Sequence, residues 1–140
     1  MEWAHNNSKL SSDHKHYRCP SHCDESNLTS YVVVTGAKTS FPSSRSINRK
    51  AITDGTVNTI LVIEIADSGI HWMEPRDLSI SNLNFRVNQD PAHSISSVHQ
   101  ESGAYIATAA GFVNFLRAQT SEETIRSLLT IDGGEIIRDF

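Results

Sequence analysis

Hydrophobic positions fall in short runs with two different periods, and these begin in earnest only at Tyr31. Tyr31-Val32-Val33-Val34-Thr35 is a β-branched run closed by Gly36 and reads as a buried strand. Ala37 to Lys50 has Ser, Pro and basic residues with no period, so it reads as a surface loop. Thr53-Asp54-Gly55-Thr56 is a turn signal, because Asp-Gly suits the positive φ of tight turns. Thr59 to Ile65 is the strongest strand, and its near-continuous apolarity predicts a central place in a sheet. Asp67-Ser68-Gly69 ends it, and Ile70 to Ala92 reads as a loop with a short strand or one helical turn.

The last third is more regular. Ser94 to His99 alternates as a strand, and Ala104–Ala109 and Phe112–Leu116 form a hairpin through Ala110-Gly111. Thr120, with Glu123 three residues on, has the capping-box form. Ile125, Leu128 and Leu129 share one face of a helix over about Ser121 to Thr130. Asp132-Gly133-Gly134 stops that helix, and Glu135-Ile136-Ile137 adds a final strand. The pattern is an α+β domain, mainly antiparallel β-sheet with a short C-terminal helix. Residues 1–30 hold both cysteines and four of the seven histidines but few apolar residues, so they read as a flexible arm; residues 31–140 read as a single β-rich domain.

Composition narrows the function. A net charge of -4 over 140 residues argues against a phosphate-neutralising surface, so no nucleic-acid partner is expected. Glu64 interrupts the longest apolar stretch, so no membrane span is expected, and residues 1–30 lack the apolar core of a signal peptide. Gly-rich phosphate loops and the Gly-x-Ser-x-Gly elbow are absent. Asp67-Ser68-Gly69 has the form of an aspartic-protease loop, but no second copy supplies the paired carboxylate. The chain is therefore expected to be non-enzymatic, with no obligatory cofactor.

Two clusters are candidates for binding. His14, His16, Cys19 and Cys23, with His22 among them, offer thiolate and imidazole donors of the kind zinc prefers. The competing readings are a Cys19–Cys23 disulfide or a solvated arm. Trp72, Glu74, Arg76 and Asp77 form a possible interaction surface, weighed against Trp72 plugging the sheet edge while the charges face water. His99 reads more simply as a hydrogen-bonded strand residue. Asn6-Asn7-Ser8 and Asn27-Leu28-Thr29 match the glycosylation pattern.

Several blocks in matching order carry a resemblance. They are Cys19-Pro20-Ser21, Tyr31 to Gly36, Ile52 to Ile60, Asp67 to Leu78, and Ile95 to His99. Together they resemble family 1559 of the domains of unknown function, a prepilin-like set of paralogues best known from planctomycetes and also labelled solute-binding. The resemblance implies a leader and anchor helix ahead of an exported, pilin-like β head. It also marks Asp54, Gly55, His99 and Gly111 as signature positions. Ten residues separate His99 from Ala110-Gly111, with Ala where the family carries Asp, and these residues read as lacking the family's leader and anchor helix, either because upstream sequence is left out or because this is a short, drifted paralogue. The implied role is a pilin-like or pseudopilin-like envelope or surface domain, structural or interactive, with related pilin-like subunits as partners. It would be at the cell envelope or exported with an upstream anchor, and cytoplasmic without one. The alternatives are a small metal- or ligand-binding module using the His/Cys arm, or a truncated paralogue with little function.

Overall fold

The computed structural model describes residues 14–23, 26–135 and 137. The elements in chain order are β1 (Tyr31–Val32), β2 (Val34–Thr35), β3 (Ile60–Glu64), β4 (Leu78–Ser79), β5 (Gly103–Thr108), β6 (Val113–Arg117) and α1 (Glu122–Leu129). Four of the strands form an antiparallel sheet in the order β1-β3-β5-β6, and β2 pairs with β4 in a small parallel pair. This is an α+β fold with one short C-terminal helix. Among the described residues no helix is long and apolar enough to cross a membrane.

The expected strand from Tyr31 to Thr35 is divided. Val33 donates its N–H to the Asp77 carboxylate at 3.1 Å, and its carbonyl accepts from Leu78 N. The chain thereby leaves one sheet at Val32 and enters the other at Val34. The hairpin is as expected, shifted by one residue, with Gly111 at φ 87° in the turn. The helix is capped by Ser121, not Thr120: Ser121 Oγ accepts from Thr124 N at 3.1 Å.

Ser94–His99 is not a strand. Ser94 and Ser96 are buried, but their hydroxyls bond to nearby carbonyls of Asp90, Pro91 and Ser94. Such local bonding offers the backbone an alternative to a sheet ladder. The expected final strand is not formed at Glu135 or Ile137; Ile137 packs against the core, and Ile136 lies outside the described residues.

Register divides the sheet into two faces. Val32 opposite Ile63, Ile63 opposite Ile106, and Ala104 opposite Leu116 face inward, since cross-strand partners share a side. These residues join Ile125, Leu128 and Leu129 of α1 in one core. The opposite, outer face carries Tyr31 opposite Glu64, Val62 opposite Ala107, and Tyr105 opposite Phe115.

The Asp54-Gly55 turn, with Gly55 at φ 92°, fastens the end of α1 to the body of the protein. Asp54 accepts from Gly133 N at 2.6 Å and Gly134 N at 2.8 Å, while Thr53 N and Asp54 N both donate to Ile131 O. Hydrogen bonds to a charged acceptor contribute more than neutral ones. Asp54→Ala is therefore expected to cost about 1–3 kcal/mol, read as a lower urea midpoint with unchanged slope.

Candidate metal centre

A carboxylate in the middle of an apolar strand needs partners, because burying an unpaired charge is costly. Glu64, between Ile63 and Ile65, is only 2 % exposed. Its Oε2 accepts from Tyr105 N at 2.9 Å, so the side chain takes a backbone donor on the neighbouring strand. Its Oε1 lies 3.0 Å from His99 Nε2. The same nitrogen lies 3.6 Å from Cys19 Sγ. One donor atom from each of Cys19, Glu64 and His99 falls within a mutual 4.8 Å.

Each ligand arrives on a separate piece of chain. Cys19 follows the 3-10 turn His14–Tyr17 and is 4 % exposed. Its segment is held by Ser30 N donating to Tyr17 O, by Thr29 Oγ1 donating to the same carbonyl, and by Tyr17 stacking on Trp72 at 5.3 Å. His99 sits on the loop before β5. Ser97 Oγ ties that loop to Gly103 O and accepts from His99 N. Gly103 has no room for a side chain: a Cβ would strike the Leu116 carbonyl and the Phe115 ring. The Tyr105 ring meets the His99 ring edge-on at 5.3 Å and fixes its tilt.

The electrostatics are those of a closed, anionic pocket. Burial first, and then the hydrogen bond with Glu64, pushes the Cys19 thiol above its ordinary value; Ser21 pulls the other way. Burial, followed by the charges of Cys19 and Glu64, likewise pushes the Tyr31 phenol up. A thiol held protonated is not an activated nucleophile. An acid–imidazole–thiol relay also needs the thiol and the acid on opposite ring nitrogens, whereas here both approach Nε2. Sulfur, nitrogen and oxygen brought to one point form a donor set that suits a metal ion of the zinc class. Tetrahedral zinc, with bonds of about 2.3 Å to sulfur and about 2.0–2.1 Å to nitrogen or oxygen, spaces S and N about 3.6 Å apart and N and O about 3.3 Å apart. The 3.6 Å sulfur–nitrogen separation equals this spacing, while the 3.0 Å nitrogen–oxygen separation is about 0.3 Å shorter, the distance of a direct hydrogen bond.

Of the arm residues expected to gather around a metal, the structure brings only Cys19 to this cluster. Cys23 is exposed, its Sγ 3.9 Å from Ser21 O, and both thiols are free, so no Cys19–Cys23 disulfide is present. His22 Nε2 lies 3.1 Å from Ala66 O. His16 is exposed, and His14 opens the 3-10 turn. Asn6-Asn7-Ser8 lies outside the described residues.

The Trp72 loop makes several internal contacts while Arg76 and Asp77 stay exposed. Trp72 N donates to Asn27 O, Glu74 pairs with Arg76 at 2.6 Å, Arg76 also reaches Gly69 O, and Asp77 holds Val33 N. Of the four signature positions, Asp54, Gly55 and Gly111 serve turns, and His99 alone enters the cluster. Glu64 was missed as a member of this cluster, although a lone acid within an otherwise apolar strand was its signal in the sequence. No protein-family model, no curated protein and no solved structure matches this chain.

Proposed function

We propose that this domain is a metal-binding module in which Cys19, Glu64 and His99 hold one divalent ion of the zinc class and thereby clasp the N-terminal arm to the sheet. The observation that carries the reading is the convergence of three different donor atoms, all within 4.8 Å of one another, on one buried point. The donor chemistry favours zinc or cobalt over magnesium or calcium, which prefer all-oxygen sites. When bound, the ion supplies a Lewis-acidic centre and a crosslink between distant segments. Tyr105 N–H keeps the Glu64 carboxylate aimed, and Ser97 keeps the His99 loop in place.

Reduced protein stripped of metal and titrated with cobalt(II) is expected to take up one equivalent. Its spectrum should show tetrahedral d–d bands and a thiolate-to-cobalt charge-transfer band. Cys19→Ser should remove the charge-transfer band, and Cys23→Ser should keep it. The reverse outcome would favour ligation by the arm alone. No uptake would leave Glu64 and His99 as a hydrogen-bonded pair.

A second reading, a pilin-like subunit head in an envelope assembly, draws support from a different feature. β6 is an edge strand; Val113 at its start is 67 % exposed, and Phe112 just before it is 57 % exposed. It predicts that the native protein is longer than 15.5 kDa, membrane-associated and N-terminally processed. Intact mass from soluble and membrane fractions checks this. A soluble 15.5 kDa form would count against it.

A further inference from the structure

The two edges of the four-stranded sheet differ. β1 is two residues long before the chain crosses into the small parallel pair, whereas β6 runs for five residues, Val113–Arg117, and has a partner on one side only. Thr108 N donates to Phe112 O and Ala118 N donates to Ser102 O, so β6 and its flanks bond to β5 through residues 112, 114, 116 and 118. The alternate residues Val113, Phe115 and Arg117 therefore turn their N–H and C=O groups away from β5. The same parity turns the Tyr105 amide away from β6 and towards Glu64. Of the outward groups, the Arg117 carbonyl takes a turn bond from Thr120 N at 3.0 Å.

Proteins usually blunt such an edge with proline, a bulge or charge, because unpaired backbone groups template another strand. β6 has no proline, its register with β5 is unbroken, and its one charge, Arg117, stands at the far end. Residues 110–119 contain no acid. Two β6 strands laid antiparallel about a twofold axis at Phe115 set Val113 opposite Arg117 of the second copy. Every outward N–H of the strand then meets a carbonyl across the axis. The two Arg117 residues lie about 13 Å apart in that register, beyond the roughly 8 Å over which salt leaves charges coupled. The exposed side chains of Phe112 and Val113, the Phe115 ring and the Arg117 stem contribute roughly 300 Å² per copy. With the strand edges themselves the total is roughly 800–1,000 Å², short of the 1,200 Å² or more of a stable interface, so the contact is a reversible one.

We propose that two copies of this chain pair reversibly through antiparallel β6 strands and join their sheets into one. The pairing stands on the fold alone and needs no ion.

Amide exchange of the isotope-labelled full chain, read residue by residue at about 10 μM and about 1 mM, tests this. With a dissociation constant of about 100 μM, monomer falls from about 85 % to about 20 % of the chains between those concentrations. Exchange at Val113, Phe115 and Arg117 is expected to slow about fourfold, while Asn114 and Leu116, bonded to β5 in either state, keep their rates. Val113→Pro removes an outward N–H without touching the β5 ladder and is expected to abolish the concentration dependence. Val113→Glu and Val113→Lys leave the backbone intact. The first sets an acid opposite Arg117 and the second a like charge, so the first is expected to dimerise about tenfold more tightly. Exchange rates at Val113, Phe115 and Arg117 that concentration leaves unchanged would overturn the proposal. So would slowing at other amides in their place, or equal dimerisation of the Glu and Lys variants.

Discussion

Zinc at one hundred times its dissociation constant is expected to raise the melting temperature of this protein by about 8 °C. The size follows from linkage: an ion that binds only the folded chain adds about 2.7 kcal/mol at that concentration. A domain of 140 residues moves by about 3 °C for each kcal/mol. The three ligands are distant in sequence, with Cys19 and His99 80 positions apart. The unfolded chain cannot assemble these three donors, so the binding energy appears as folding energy, less whatever zinc the neighbouring His14, His16, Cys19, His22 and Cys23 hold in the unfolded chain. The effect should also be visible locally. Arg18 precedes Cys19, and the segment is otherwise held by a few backbone bonds near Tyr17 and Thr29. Trypsin should cleave after Arg18 more slowly with zinc than with chelator. Differential scanning with zinc or chelator, on the native chain and on Cys19→Ser, checks both points. A shift of the same size in Cys19→Ser would place the ion elsewhere.

The contrast between what local pattern revealed and what it hid has a physical basis. The β5–β6 hairpin and α1 were legible because their determinants are neighbours: a glycine at φ 87° between two apolar runs, and a hydroxyl cap three residues from its amide. The division of the first strand at Val33 was not legible, since it depends on Asp77, 44 positions away. Ser94 to Ser96 alternates like a strand, yet its hydroxyls satisfy the local carbonyls that a strand would have left for a neighbour. The Cys19–Glu64–His99 cluster combines both cases. Cys19 stood out in the sequence but suggested nearby histidines as its partners, because spacing motifs see only short range. His99 stood out only through the resemblance to a family. Glu64 was visible simply as a break in an apolar run, although a charge at a buried strand position already demanded a partner.

Glu64 is accordingly the position where a single substitution costs most. Glu64→Leu removes the acceptor of Tyr105 N–H and the partner of His99 in one step. Leaving a buried donor without its acceptor typically costs about 1–3 kcal/mol, and here the Tyr105 amide and the His99 ring both lose one. The His99 side chain retains 20 % exposure, so water can recover part of its loss and the lower end of that range is expected. Even so, this is a large share of the roughly 5–15 kcal/mol that holds a domain together. Glu64→Gln separates the two roles of the residue. It keeps an oxygen for Tyr105 N–H and so should cost less in urea unfolding, yet it removes the negative charge that a divalent ion needs. The zinc-dependent rise in melting temperature should therefore fall sharply in Glu64→Gln while the metal-free fold survives. Pairing Glu64→Leu with His99→Leu should recover part of the lost stability, because replacing both partners by apolar groups leaves fewer orphaned ones. The Tyr105 amide would remain unpaired in that double variant and sets the limit of the recovery. Glu64→Leu with an unchanged urea midpoint would mean that the carboxylate does not stabilise the metal-free fold. Any remaining claim on Glu64 would then rest on the ion alone.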